Sequence, residues 1–324
     1  MITIGIDLMG AELDPLKLFY SIFQNFENFD KDVSLELFVT IELKSEISRF
    51  LVEKKSKKIQ VNYSKYFISM EDTPLRAFRK KHDSTMLQAL KFLKDKKIDA
   101  LITCGNTGVL VTSTKIIVKT LKKIKRPALL ALVPTKTNNI AFLDVGANIS
   151  HKSKDLVDFA SLGAAFQRVI SRKDIKVGLL NIGSEKQKGT AEIRKTFNSL
   201  SKKKTFFNFV GNIEAKEVFE GKVDVLVTDG FTGNIFLKTS EGITSFIIDK
   251  IYKKALDNSF DLMNELKNSL YYENYPGAIL IGARELIIKC HSYSTIESVI
   301  SAIKGSVEFV KKDLIVSIKK ILYK

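Results

Sequence analysis

Two short stretches carry the same residue types at nearly the same spacing: Cys104-Gly105-Asn106-Thr107-Gly108 and Asp229-Gly230-Phe231-Thr232-Gly233-Asn234. Each follows an apolar, β-branched run, "IDALIT" and "VDVLVT", so each reads as a strand passing through a tight turn into the next helix. Glycine permits close backbone approach, and Asn or Thr supplies a short polar side chain for a first helical turn. A helix start leaves N–H groups unpaired and carries partial positive charge, which suits phosphate or another anion. The stretches "DLMGAE" (7–12), "DVGAN" (144–148) and "NIGSEKQKG" (181–189) repeat the theme, so the chemistry to expect is anion binding at several strand ends.

Other chemistries are missing from the sequence. Gly183 to Thr190 lacks the Gly-Lys order of a Walker A loop, and no GxGxxG, HExxH or GxSxG occurs. His82, His151 and His291 stand far apart, with neither metal spacing nor a triad, and read as surface or structural residues. Cys104 has no flanking base and reads as a small buried filler rather than a nucleophile. No metal and no cofactor is implied.

The elements that must position the turns are short β-branched runs ending in glycine: "ITIGID", "LELFVT", "DALIT", "IAFLDVG", "KVGLLNIG", "FFNFVG" and "VDVLVTDG". Their nearly continuous apolar character suits strands buried on both faces. Between them lie periodic charged segments such as residues 84–97, with Met86, Leu87, Leu90, Phe92 and Leu93 at helical spacing. The alternation predicts a Rossmann-like three-layer α/β/α fold with a mostly parallel sheet, in which ligands bind beyond the carboxyl ends of the strands. With 324 residues, no Pro/Ser/Gly-rich linker and no internal repeat, the expectation is one integrated domain over 1–324. Residues 245–275 suggest a projecting hairpin of amphipathic helices, with Phe246, Ile247 and Ile251 on one side and Lys250 opposite.

The formal charge of +16 points to an acidic protein partner, an anionic membrane or nucleic acid. The excess of Lys over Arg, the absence of Trp and the many Ile, Phe and Asn residues also fit the bias of an A+T-rich genome. No zinc-finger, RNP or helix-turn-helix signature accompanies the charge, which argues against nucleic acid. No apolar run is long enough to span a bilayer, "MITIGIDLMG" lacks the pattern of a secretory signal, and the two cysteines make no framework. The expected compartment is the cytoplasm.

In order along the chain, "DLMG", "DTPLRAFRKKHDSTM", "CGNTGVL", "RPALLALVPT", "FLDVGAN", "LLNIGSEKQKG", "FVGNIEAKEVFEGKVDVLVTDGFTGNIFLKTSEG" and "IKCH" make this sequence resemble the PlsX-type phosphate acyltransferases. It departs from that pattern at Gly10-Ala11-Glu12, where Gly-Gly-Asp is usual, at Gly282-Ala283-Arg284-Glu285, and after His291, where a glycine usually follows. The resemblance implies transfer of a long-chain fatty acyl group from acyl carrier protein to inorganic phosphate, giving acyl phosphate for phospholipid synthesis. It also implies a homodimer in peripheral contact with an anionic membrane surface.

That reaction needs a positioned phosphate dianion, which is itself the nucleophile, and donors aimed at the developing oxyanion. On the resemblance, Lys188 is the catalytic cation and Asn234 the amide donor. Gly105, Asn106, Thr107 and Gly108 cradle phosphate. Asn181, Gly230, Thr232 and Gly233 complete the substrate-binding set with Asp144, Asn148 and Asp229, whose carboxylates and amide orient the donors. On this expectation the two rhyming turns hold phosphate and oxyanion side by side at neighbouring strand ends. Two rivals stay open: a phosphate acetyltransferase-like enzyme using a short acyl-CoA, and a non-catalytic anion-binding regulator.

Overall fold

The structure, a computed structural model, describes residues 1–54, 58–170, 174–252 and 277–323. Two compact units result: Met1–Lys123 with Pro276–Ser317, and Ile124–Tyr275 with Ile318–Lys324.

The first unit begins with β1 (Ile2–Asp7), α1 (Pro15–Asn25), β2 (Val33–Thr40), α2 (Lys44–Lys54), β3 (Ile59–Ser64), α3 (Pro74–Lys80), α4 (Thr85–Lys94), β4 (Ala100–Thr103) and α5 (Thr107–Ile117). The second holds β5 (Ala128–Pro134), β6 (Asn139–Leu143), α6 (Ser153–Ile170), β7 (Lys176–Asn181), α7 (Ala191–Lys202), β8 (Asn208–Glu214), β9 (Val225–Val227) and α8 (Gly230–Tyr252). The chain then returns to the first unit with β10 (Ala278–Ile281), β11 (Leu286–Lys289) and α9 (Ile296–Lys311).

In the first unit the strands run in the order β3-β2-β1-β4-β11-β10, all parallel except the antiparallel β10–β11 pair. The chain winds outward from β1 through β2 to β3 and then back to β4 on the other side. The β1–β4 boundary is therefore a topological switch point, where a crevice opens beyond the strand ends. Residues such as Ile4, Ile6, Leu35, Leu37 and Ile102 are fully buried, as strands covered on both faces require. Helix α4 packs on β1 to β4, and α9 on β1, β4 and β11. The helix expected over 84–97 is thus α4; of the expected apolar residues Met86, Leu87, Leu90 and Leu93 are buried, while Phe92 is half-buried and meets Phe38 edge-on.

In the second unit the order is β5-β6-β9-β7-β8, with β5 antiparallel to β6 and the other pairs parallel. The ends of β6, β9 and β7 therefore lie next to one another and carry residues 144–152, 228–234 and 181–190. Helix α8 is anchored by Phe236, which stacks on Phe219 at 5.8 Å and meets Phe142 edge-on at 5.4 Å. Along the helix Phe231, Ile235, Ile243, Phe246, Ile247 and Ile251 are exposed. The rest of the expected 245–275 hairpin, from residue 253 on, lies outside the described residues. The α/β class and mostly parallel sheet expected from the sequence are present, although β3, β5, β10 and β11 were not among the strands it announced.

Gly163 on α6 marks a close helix-to-sheet contact in the second unit: a Cβ there would stand 2.5 Å from Val225 Cγ1 and 3.0 Å from Leu143 Cδ2. Gly163→Val should lower stability by about 1–3 kcal/mol through overpacking. By contrast, Gly242 on α8 has nothing within 4 Å of its added Cβ among the described residues. Gly242→Ala should raise stability by roughly 0.5–1 kcal/mol through helix propensity. Urea unfolding midpoints of the two variants read both effects.

Candidate active site

The centre of the second unit's strand-end loops is Asp144, a fully buried carboxylate just beyond β6. Its Oδ1 accepts N–H bonds from Leu129 at 3.0 Å, Gly146 at 3.1 Å and Ala147 at 2.9 Å. Its Oδ2 accepts from the backbone N–H of Asn148 at 2.9 Å and from the Asn148 amide at 2.8 Å. Asn148 Nδ2 also donates to the Pro127 carbonyl at 2.8 Å. Burial pushes the Asp144 carboxyl above its ordinary value, against the pull of these donors. Asp144 and Asn148 thus hold the 144–148 loop in one shape.

The first turn of α8 is pressed onto that loop. A Cβ on Gly233 would sit 2.0 Å from the Asp144 carbonyl oxygen, and one on Gly230 would sit 2.4 Å from that of Asn148. Only glycine allows both approaches. Asp229 caps the helix, accepting from Thr232 N–H at 2.8 Å and from Thr232 Oγ1 at 2.7 Å. Asn234, half-buried, lies against Gly146, whose added Cβ would be 3.6 Å from the Asn234 side chain.

Beyond β7, Asn181 closes its own loop. Its Nδ2 donates to the Lys188 carbonyl at 3.1 Å, and its Oδ1 accepts from Ile182 N–H at 2.8 Å. Lys188 is exposed, with its aliphatic stem over Gly183. Since β9 lies between β6 and β7, the 144–148 loop, the Asn234 turn and the Lys188 loop stand on consecutive strand ends.

The first unit carries the other rhyming turn. Asn106 caps α5 by accepting from Val109 N–H at 3.1 Å. Its amide donates to the carbonyls of Ser69 at 3.2 Å, Met70 at 2.9 Å and Asp72 at 3.0 Å. These bonds commit Asn106 to building the turn. The N–H groups of Thr107 and Gly108 take no partner among the described residues, so they are the ones an anion can use. Gly10, at φ +82°, lies so close to this turn that an added Cβ would be 2.8 Å from Gly105 Cα.

At α8 the balance differs. Gly230 N–H donates to Asn148 O at 3.0 Å, Thr232 N–H is capped, and the Asp229 carboxylate is at the helix start. Backbone anion binding is therefore better served at α5, while α8 offers the Asn234 side chain.

The two turns do not stand at neighbouring strand ends, which corrects that expectation. The neighbours of β4 are β1 and β11, whereas those of β9 are β6 and β7, and the turns belong to different units. Each is paired instead with a buried aspartate on its own neighbouring strand.

In the first unit that aspartate is Asp7, which the sequence reading did not single out. Asp7 Oδ2 accepts from Thr103 Oγ1 at 3.0 Å, and Thr103 Oγ1 in turn accepts from Gly105 N–H at 3.0 Å. Nearby, buried Lys289 donates from Nζ to the carbonyls of Cys104, at 3.2 Å, and Cys290. The available signals were a carboxylate ending the apolar run of β1 and a lone cation ending that of β11. His291 stacks on Tyr293 at 5.0 Å. Arg284 Nε donates to Thr120 O at 3.0 Å, and Lys96 pairs with Glu285. Among the described residues no group of three His, Cys, Asp or Glu side chains is placed to hold a metal.

Burial raises the Asp7 carboxyl from 3.8 to about 6, while the Thr85 and Thr103 hydroxyls, Met9 N–H and the Lys289 charge pull the other way. Between those values the folded state binds the proton more tightly than the unfolded chain does. The Asp7 contribution to stability is therefore full below about pH 4 and falls by roughly 3 kcal/mol as pH rises through 6. Asp7→Asn should remove that slope. Urea midpoints of wild type and variant across this range test it; parallel curves would contradict the assignment.

Residues 2–317 match the family model described as "Fatty acid synthesis protein". The chain is 40% identical over 314 residues to the phosphate acyltransferase of Chlamydia abortus, covering 96% of each chain. It is 38% identical over 319 residues to that of Chlamydia pneumoniae, covering 97% of each. Among solved structures, the EutD phosphotransacetylase from Staphylococcus aureus shares the fold at a TM-score of 0.58 and 12% identity, with 99% of this chain and 94% of that one covered. A branched-chain phosphotransacylase from Enterococcus faecalis V583 does so at 0.58 and 13%, with 97% and 99% covered. The chain belongs to the fatty acid synthesis protein family, the PlsX-type phosphate acyltransferases, and is a transferase.

Proposed function

We propose that this protein transfers a long-chain fatty acyl group from the thioester of acyl carrier protein to inorganic phosphate, releasing the carrier thiol and an acyl phosphate for phospholipid synthesis. The observation that carries the residue assignment is a contrast among the site's polar side chains. The amides of Asn106, Asn148 and Asn181 are spent on backbone carbonyls or a carboxylate. The Asn234 amide and the Lys188 ammonium are committed to no partner among the described residues. In a site shaped by so many internal hydrogen bonds, these are the groups left to meet a substrate.

The roles follow from what the reaction demands. A phosphate oxygen attacks the thioester carbonyl, the tetrahedral oxyanion forms, and the thiolate leaves. Phosphate is the nucleophile, so the protein contributes position and charge. Thr107 and Gly108 N–H, with Gly105 shaping the turn, bind phosphate. Asn234 donates to the oxyanion, and Lys188 offsets negative charge. Asp144, Asn148, Asn181 and Asp229 hold these donors, and Gly230, Thr232 and Gly233 form the turn that carries Asn234.

The formal charge of +16 favours encounter with an acidic carrier protein and with an anionic membrane surface. The exposed apolar stripe of α8 suits a homodimer contact or peripheral membrane contact. No helix among the described residues is long and apolar enough to cross a membrane. On this reading the protein works in the cytoplasm.

Acyl-phosphate formation from long-chain acyl carrier protein and phosphate tests the proposal. Lys188→Ala should lower kcat/KM on the order of 10²-fold, and Asn234→Ala should lower kcat roughly 10²–10³-fold, as loss of an oxyanion donor does. Both variants staying within about threefold of wild type would remove these residues from the site. Turnover of a short acyl-CoA without turnover of acyl carrier protein would replace the donor and sink the phospholipid role.

A further inference from the structure

The chain has only two cysteines, and the fold sets them side by side. Strands β4 and β11 are parallel neighbours with Lys289 opposite Thr103, and Cys290 N–H donates to the Thr103 carbonyl at 3.0 Å. The next residues along, Cys104 and Cys290, therefore stand opposite each other on the same face. Adjacent strands run about 4.8 Å apart, within the roughly 4.4–6.8 Å between Cα atoms that a disulfide spans. Both cysteines are buried free thiols.

Their surroundings distinguish the two sulfurs. The Cys290 hydrogen bond and then the Lys289 charge hold the Cys104 thiol below its usual range, against burial. The same pairing and burial push Cys290 well above it. The buried Lys289 ammonium, held on the Cys104 and Cys290 carbonyls, is the cation beside the pair and favours a thiolate there.

We propose that Cys104 and Cys290 form a reversible thiol–disulfide site, oxidised by hydrogen peroxide, that controls the shape of the anion-binding turn at Gly105–Gly108. The Cys104 thiolate attacks one peroxide oxygen, the O–O bond breaks, and the departing hydroxide takes a proton to become water. The resulting Cys104 sulfenic acid is attacked by the Cys290 sulfur, and the hydroxyl leaves with the Cys290 proton as a second water. Two thiols are oxidised and one peroxide is reduced.

The consequence for the turn follows from its hydrogen bonds. Cys104 directly precedes Gly105, whose N–H is tied through Thr103 Oγ1 to Asp7. Its carbonyl is held by the Lys289 ammonium. Drawing the Cys104 sulfur to Cys290 pulls on both links and on the close contact between Gly105 and Gly10.

The test uses the full-length native protein. After treatment with hydrogen peroxide, free thiols should fall from two to none and the intact mass by about 2 Da, with one cross-linked peptide joining Cys104 to Cys290. Dithiothreitol should restore both thiols. Cys290→Ala should stop at a Cys104 sulfenic acid that a 1,3-diketone traps, and the wild-type thiol count stands even if that variant folds poorly. Persistence of both thiols, oxygen addition without a cross-link, or a disulfide between two chains would each overturn the proposal.

The functional arm rests on the acyl-transfer reading. Oxidised protein should lose most of its acyl-phosphate formation and regain it with dithiothreitol; a quantitative disulfide with unchanged turnover would overturn the control of the turn. If reduced protein shows no acyl transfer, that reading fails on its own, and phosphate binding followed by ³¹P NMR decides the control instead. Weaker binding on oxidation supports it, and equal binding overturns it.

Discussion

A buried carboxylate with no cation against it among the described residues organises the second unit's strand-end loops. Asp144 accepts from the backbone of Leu129, Gly146, Ala147 and Asn148 and from the Asn148 amide. Hydrogen bonds to a charged acceptor contribute about 1.5–3 kcal/mol each when formed and cost at least as much when a buried partner is orphaned. The loop therefore has one arrangement in which its N–H groups and the carboxylate are satisfied together. The α8 turn docks on that arrangement through Gly230 and Gly233, so the position of Asn234 depends on Asp144 without touching it.

The same device appears in the first unit. Asp7 ends β1 and, through Thr103, fixes Gly105 at the end of the neighbouring parallel strand β4. Asp144 follows β6 and fixes the loop against which the turn after the neighbouring parallel strand β9 is seated. The sequence rhyme between the two Gly/Asn/Thr turns is thus half of a larger correspondence. Each turn has its own buried aspartate one strand away, followed within a few residues by a glycine of positive φ, Gly10 or Gly146. The turns diverge where the caps differ: Asn106 is neutral and leaves α5 free to attract an anion, whereas Asp229 places negative charge at the start of α8.

What was legible in the sequence was what local pattern determines. The runs that became β1, β2, β4, β6, β7, β8 and β9 are apolar and end in turn residues, and α4 is periodic, so their types could be read directly. Strand β3, "IQVNYS", is only partly buried at the sheet edge and alternates polar residues, which weakened its signal. Strands β10 and β11 are four residues each and make sense only when paired with each other and with β4. Asn106 and Asp229 were legible as polar residues at helix starts, but their commitment to capping was not. Asp7 and Lys289 were missed for a related reason. Their partners lie far away in sequence, and one buried lysine among so many is invisible until the fold removes it from water.

Buried ionised groups are costly, and replacing them with apolar ones often leaves a protein no less stable. Asp7, Asp144 and Lys289 nonetheless sit 8% exposed or less, at the ends of strands whose buried residues are mostly Ile, Leu, Ala and Phe. An apolar side chain at any of these places would fill the space but would accept from no loop N–H and donate to no turn carbonyl. Those backbone groups would then be free to choose other partners, and the turns other shapes. The charges are best understood as a way of fixing backbone geometry at the sheet's carboxyl edge. The Asn234 amide and the Lys188 ammonium on the neighbouring loops are then left with no partner among the described residues.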